Sequence, residues 1–493
     1  MNLFELSLAE AAAGLREKKF SSQDLVRACV ERADAGKALS NFITRTDELA
    51  LKQAASVDAK LAAGEELGLL AGVPAGMKDI LNTKNVRTTC ASRMLENFVS
   101  PYESTVTRRL LDEDYVLFGK LNMDEFACGA STESSYFGTS LNPWNKEYVA
   151  GGSSGGSASA VAAGQCFYSI GTDTGGSIRQ PASLCGCVGL KVTYGRVSRF
   201  GVTAMASSWD TVGPMARTVE DVAIVLKAIA GDDKYDATTP PVAVPDYTAD
   251  LSKGAAALRI GVPAEYFGEG VDEEVRKSVM AAVKEYEKMG AQIVQISLPM
   301  TKYGVAVYYV TMPGELSTNL ARFDGLRFGH SVASGDAAEA AAATNDLLEY
   351  YMKTRGESFG AEIKRRIMVG TFVLSAGYSD EYYKQAQRVR TLLARDFEKA
   401  FEEVDVIMGP VSPTPAFKAG AISDPLELYM ADVLTIPASA AGLPAISVPC
   451  GFSKEGLPIG LQIIGPQFQE GLILQAAAAY EQVSGLRGQV AKI

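Results

Sequence analysis

The chain of 493 residues holds a single histidine, His330, and only two tryptophans. Serine hydrolases ordinarily deprotonate their nucleophile with a neighbouring imidazole, so serine chemistry here requires a different base. Zinc centres draw on clustered Cys and His; seven dispersed cysteines and one histidine supply no such pattern. Cys185 and Cys187 stand too close together for a CxxC pair, and the odd, scattered set fits a reduced, cytoplasmic compartment. Runs of one charge are missing as well. The 47 basic and 58 acidic residues give a net charge of −11 with no basic stripe, which argues against a broad phosphate-binding face. The most apolar stretch, residues 433–450, is broken by Pro437, Gly442, Pro444 and Pro449 and cannot run as one membrane-crossing helix. The N-terminus carries Glu5 and no apolar signal-peptide core.

Hydrophobic residues make up 47% of the chain and charged residues 21%, enough apolar surface for the large core of a soluble globular protein. Ser21 or Ser22 ahead of Asp24, with Leu25, Cys29 and Val30 as an apolar stripe, predicts a capped helix. A second helix is expected over residues 47–63. From Gly72 onward, short apolar runs alternate with helical segments. Residues 158–163 are nearly all alanine-sized and predict a helix packed close to a sheet, followed by a buried strand at 167–170. Residues 232–250, rich in Pro, Asp and Thr, read as an exposed connection. Val275, Val279, Ala282 and Tyr286 keep helical spacing; strands are expected near 293–298, 404–408, 445–448 and 459–464, with long helices at 379–401 and from Gly471. Interleaved strands and helices predict the α/β class, one large domain whose central mixed sheet is covered by helices. Its expected parts are a peripheral N-terminal helical layer (1–66), a catalytic core (67–231), a peripheral substrate-pocket region (232–400) and a C-terminal return to the core sheet (401–493).

Two glycine-serine clusters stand out: Gly151-Gly152-Ser153-Ser154-Gly155-Gly156-Ser157 and Asp173-Thr174-Gly175-Gly176-Ser177. The order glycine turn, helix, strand, glycine turn brings both to one edge of a sheet. Consecutive N–H groups from Thr174 to Ser177, on a turn where two glycines permit unusual backbone angles, can converge on one oxyanion. Ser177 can then attack the carbonyl they hold, and Ser153, a hydroxyl that both donates and accepts, can relay a proton. Gly151 and Gly156 have the spacing of a phosphate-binding loop, but Ser157 stands where that loop needs lysine. The missing base is Lys78, in Gly72-Val73-Pro74-Ala75-Gly76-Met77-Lys78-Asp79. It must be neutral to accept a proton. Lowering an ordinary lysine by roughly 3 units penalises its charged form by about 4 kcal/mol, and burial among Val73, Pro74, Ala75, Met77 and Ile80 is the available means. The bland alternatives are a tight turn with a satisfied serine and a surface lysine that snorkels to water.

Residues 72–79, 151–164 and 170–181, continuing into Gly189-Leu190-Lys191, resemble the amidase signature family. That resemblance implies Ser177 as the acyl-forming nucleophile, Ser153 as the relay following a cis peptide, and Lys78 as the base. It further implies an oxyanion hole from Thr174, Gly175 and Gly176, on a single α/β domain. Asn122-Met123-Asp124-Glu125-Phe126, Ser131-Thr132-Glu133-Ser134-Ser135, Tyr194-Gly195-Arg196-Val197-Ser198, Ala321-Arg322-Phe323-Asp324-Gly325 and residues 364–372 extend it over essentially the whole chain. They resemble the family members that work as glutaminases of tRNA-dependent amidotransferases. For such a member the resemblance implies a heterotrimer with the B and C subunits of the amidotransferase. This chain would free ammonia from glutamine without a cofactor or metal of its own. The B partner would receive the ammonia and use ATP and Mg2+ to convert Glu-tRNA(Gln) to Gln-tRNA(Gln); the C partner would brace the pair. Contact with tRNA would run mainly through the amidating partner, and no membrane is involved. Free glutamine carries a carboxylate and an ammonium, so its pocket needs one cation and one anion. The resemblance suggests Arg365 and Asp432, with Tyr309, Gly129 and Ser131 nearby; Arg366 and Tyr308 are adjacent alternatives. Cys128, Cys166 and His330 read as structural. A stand-alone amidase with the same triad, and a catalytically silent scaffold, are the competing functions.

Overall fold

The computed structural model describes residues 2–332 and 347–493, which form one mixed sheet wrapped by helices. Its eleven strands are β1 (Phe42–Arg45), β2 (Pro74–Lys78), β3 (Val116–Leu121), β4 (Tyr168–Asp173), β5 (Val188–Lys191), β6 (Thr211–Ala216), β7 (Arg259–Pro263), β8 (Gln292–Ile296), β9 (Val406–Pro410), β10 (Ala445–Phe452) and β11 (Pro458–Ile464). They lie in the order β1-β3-β2-β4-β6-β5-β10-β11-β9-β7-β8. β2 runs parallel to both β3 and β4, and β7 runs parallel to β8 and β9. The remaining neighbours are antiparallel. Every residue of β2, β3, β4, β5, β6, β9 and β11 is buried, whereas the edge strands β1 and β8 are only partly covered. That gradient is what a sheet with helices on its faces requires.

Local sequence explains the elements. The helix Ser22–Ala35 starts on a reciprocal cap, in which the Ser21 hydroxyl accepts from the Asp24 N–H and the Asp24 carboxylate accepts from the Ser21 N–H. Helices follow at Asp47–Ala62, Gly155–Ala162, Glu273–Lys288, Gln385–Glu403 and Glu470–Ser484, as the spacing of apolar residues leads one to expect. The helix Gly155–Ala162 has no exposed residue, and its Gly, Ser and Ala side chains let it lie directly on the sheet. Residues 232–250 form turns with mostly exposed side chains. Among the described residues, no helix is long and apolar enough to cross a membrane.

The topology decides where chemistry can occur. Lys78 ends β2 and Asp173 ends the parallel neighbour β4, so both emerge at the carboxyl edge of the same strand pair, where open α/β sheets place their sites. The chain then turns through 174–178 into the helix Arg179–Cys185.

Candidate active site

The two serine turns are in contact: the Ser154 N–H donates to the Ser177 carbonyl at 3.1 Å. Gly152 and Ser153 are joined by a cis peptide. The Lys78 amine, fully buried, lies 2.8 Å from the hydroxyls of Ser153, Ser154 and Thr172. Burial pulls Lys78 down from 10.5 to about 7, against the upward pull of Asp124, Asp173 and Asp210. An amine with that value is partly neutral at physiological pH and can accept a proton from Ser153. Ser177 is 4% exposed. Among the described residues, neither its hydroxyl nor the N–H groups of Thr174, Gly175, Gly176 and Ser177 donate to a protein acceptor. Four unspent donors beside an unspent nucleophile suit a developing oxyanion.

Gly175 and Gly176 are needed for a different reason from the one the sequence suggests. Neither has a positive φ. A Cβ on Gly176 would lie 2.2 Å from Thr435 Oγ1 and 2.8 Å from Asp432 Oδ1, and one on Gly175 would lie 3.0 Å from the Tyr308 ring. Space, not backbone freedom, excludes a side chain here.

The turn is held from both ends. Asp173 Oδ2 accepts from the N–H groups of Ile178 and Arg179, and the Thr174 hydroxyl donates to Asp210 Oδ1 at 2.7 Å. Complete burial works to raise Asp173, yet the Arg179 guanidinium overcomes it and holds that carboxyl below the usual carboxylate range. Burial pushes Asp210 up to about 6.

Tyr308 and Asp432, which pack on Gly175 and Gly176, also line a cavity of about 470 Å³. Gly129, Ser131, Tyr308, Tyr309, Arg365, Arg366 and Asp432 all line it, so the structure gathers every pocket residue the sequence pointed to. The adjacent pairs differ in placement. Arg366 is buried, with its guanidinium carbon 4.6 Å from the Tyr309 ring centre and 4.3 Å from that of Tyr429. Its Nε donates to Glu362 at 2.6 Å. Arg365 is half-exposed at the mouth and pairs with the other Glu362 oxygen. Asp432 Oδ1 is buried without a hydrogen-bond partner. Burial and then Asp173 raise Asp432 to about 7, and the cations that oppose this are Arg179 and Arg366. Arg366 thus lies deep in the cavity and Arg365 at its rim. Tyr309 stacks on Tyr429 and faces Arg366, whereas Tyr308 faces the Gly175 turn.

Sequence reasoning missed Ser154 and Thr172, which share the lysine amine with Ser153, and Asp210, which secures Thr174. It also missed Asp124, which shapes the 129–134 loop by accepting from Thr132 N–H at 3.0 Å and the Ser134 hydroxyl at 2.8 Å. Only Ser154, inside the glycine cluster, carried a local signal. Cys128 and Cys166 are buried, and burial raises both thiols, Cys166 to about 12. His330 lies between Glu96 and Glu357, at 3.7 and 3.9 Å, and takes no part in the site. Among the described residues, no group of three or more His, Cys, Asp or Glu could hold a metal ion.

Known proteins of similar sequence and fold identify the family. A family model described as Amidase matches residues 24–474. The A subunit of glutamyl-tRNA(Gln) amidotransferase from Thermosynechococcus vestitus is 54% identical over 95% of this chain and 96% of its own. The protein of the same name from Geotalea daltonii is 54% identical over 98% of both. The crystal structure of the glutamyl-tRNA(Gln) amidotransferase A subunit from Thermotoga maritima superposes with a TM-score of 0.82 at 37% identity, covering 100% of this chain and 99% of that one. The peptide amidase of Stenotrophomonas maltophilia, with a TM-score of 0.79 and 31% identity over 98% and 97% of the two chains, shares the fold. A match this long, on a sheet that carries a buried lysine against the Ser153-Ser154 turn, makes the chain a member of the amidase signature family.

Proposed function

We propose that this protein is the glutaminase component of a tRNA-dependent amidotransferase, supplying ammonia for the conversion of Glu-tRNA(Gln) to Gln-tRNA(Gln). The observation that carries the chemistry is the Lys78 amine, buried, brought to about 7 and 2.8 Å from the Ser153 hydroxyl. Identity of 54% to amidotransferase A subunits, against 31% to a peptide amidase, favours the amidotransferase over a stand-alone amidase.

Glutamine enters the cavity with its carboxylate toward Arg366 and its ammonium toward Asp432, which places the side-chain amide at the 174–177 turn. Ser177 Oγ attacks the amide carbon while its proton passes through Ser153 to neutral Lys78. The negative oxygen is held by the N–H groups of Thr174 to Ser177. The lysine ammonium then returns the proton through Ser153 to the departing nitrogen, which leaves as ammonia. A water, deprotonated along the same path, cleaves the glutamyl ester at Ser177 and releases glutamate. Two partner proteins, the B and C subunits, complete the heterotrimer; ATP and Mg2+ act at the B partner, where the tRNA is amidated. That partner also makes the main tRNA contact, in keeping with the net charge of −11 on this chain.

The test is Ser177→Ala in the assembled complex. Glutamine hydrolysis and glutamine-dependent amidation should disappear, while amidation driven by added ammonium salt continues. Loss of the ammonia-driven reaction as well would defeat this division of labour. Retained glutamine hydrolysis would remove Ser177 from the mechanism.

A further inference from the structure

One buried cation joins the nucleophile turn to the segment that carries Asp432. Arg179 has no exposed surface, and each of its five N–H donors is used. Nε and Nη2 hold the Asp173 carboxylate at 3.0 and 2.9 Å; Nη2 also reaches the Ser439 hydroxyl at 2.8 Å. Nη1 donates to the Thr435 carbonyl at 2.9 Å and to Gln462 Oε1 at 2.6 Å. Thr435 in turn donates its N–H and its hydroxyl to the Asp432 carbonyl, at 3.1 and 3.0 Å.

The same two segments also touch directly. Gly176 is packed so tightly against Thr435 and Asp432 that no side chain fits between them. Asp432 Oδ1 thus lies unpartnered beside an oxyanion-turn residue. The Asp173 charge repels it and the Arg179 charge compensates. A rigid, fully satisfied guanidinium fork resists displacement, because moving either segment would strand buried charge.

We propose that Arg179 is a positioning residue that couples occupancy of Asp432 to the geometry of the Ser177 turn. A substrate ammonium on Asp432 is then felt in the rate of acylation as well as in binding. This rests on the glutaminase reading above. An amide acid without the ammonium loses its bond to Asp432 and also leaves an unbalanced carboxylate against Gly176, so the donors of the turn are less well aimed. Lysine at 179 keeps a positive charge but cannot span Asp173, Thr435, Ser439 and Gln462 together.

The experiment compares glutamine with 4-carbamoylbutanoate, which has the amide and the carboxylate but no ammonium, in the complex carrying wild-type protein, Arg179→Lys or Ser439→Ala. In the wild type, kcat for the ammonium-free acid should fall by about tenfold or more relative to glutamine, in addition to a higher KM. In Arg179→Lys, kcat for glutamine should drop to the level of the ammonium-free acid, so that the ratio of the two approaches one. Ser439→Ala, which removes one of the five bonds, should shift the ratio the same way by a smaller factor and serves where Arg179→Lys does not fold. A wild-type difference confined to KM, or a variant that slows both substrates equally and keeps the ratio, would overturn the coupling. Labelling of Ser177 by a small sulfonyl fluoride gives a readout independent of glutamine. Slower labelling in Arg179→Lys, with no glutamine turnover by the wild type, would retain the positioning role and refute the glutaminase reading. Unchanged labelling in that variant would refute the positioning role itself.

Discussion

If Lys78 is the base, protonating it should switch acylation off, and pH perturbs its charge without altering a side chain. Burial sets the amine at about 7. The neutral fraction at pH 6 is then about one-tenth, and at pH 8 about nine-tenths. At saturating glutamine, kcat should rise roughly tenfold between these values with an inflection near 7. Saturation matters, because Asp432 is also raised to about 7 and its ionisation acts on binding. The same group should appear in stability. Its drop from 10.5 to about 7 in the folded state is worth about 5 kcal/mol. Between those values the unfolded chain holds a proton that the folded chain does not, so stability rises as pH rises from 7 toward 10.5. Below 7 the folded state carries the full cost of a buried ammonium. Denaturant titrations from pH 7 to 10 should show this slope; the buried Lys191 amine, also lowered to about 7, adds to it, so Lys78→Met should lessen the slope without removing it, while abolishing activity. A pH-independent kcat between 6 and 8, or an unchanged stability slope in Lys78→Met, would refute the assignment of Lys78 as a neutral buried base.

Three further outcomes follow from the geometry. Asp432→Asn should raise KM for glutamine by between about ten- and a hundredfold, the worth of one charged hydrogen bond, and should abolish the fall in KM that the wild type shows as pH rises through 7. Arg366→Lys should raise KM by about tenfold or more, since ammonium cannot replace a guanidinium stacked on Tyr309 and Tyr429, whereas Arg365→Lys at the half-exposed mouth should change it by less than about threefold; equal effects would reassign the carboxylate contact. Lys120 is buried 3.3 Å from Asp79, next to Lys78, so Lys120→Met should cost about 3–5 kcal/mol in denaturant unfolding by stranding the Asp79 carboxylate; a loss under about 1 kcal/mol would mean Asp79 finds another partner.

Much of the site was legible in residues 72–79, 151–157 and 173–177 because each is a local device. A glycine-flanked serine turn announces itself in a few consecutive residues, and the near-absence of histidine directs attention to lysine. Arg365 against Arg366 could not be resolved that way. Neighbouring residues on a helix point about 100° apart, and which of the two lies deeper in the pocket is set by how the helix Ala361–Leu374 docks on Tyr309 and Tyr429. Gly175 and Gly176 show the same limit. Their presence was readable, but the reason for it lies in Thr435, Asp432 and Tyr308, far along the chain.

By itself, then, the sequence determined the chemical parts: two serine turns, an apolar setting for Lys78, alternating strands and helices, and no metal-binding pattern. Those follow from local turn geometry and residue chemistry, which act over a few bonds. The fold alone decided that Lys78 shares its amine with Ser154 and Thr172 as well as Ser153, that Arg366 sits deep and Arg365 at the rim, and that Arg179 bolts the nucleophile turn to the Asp432 segment. Each depends on contacts between residues distant in the chain, and on the loss of water that gives buried charges their altered proton affinity.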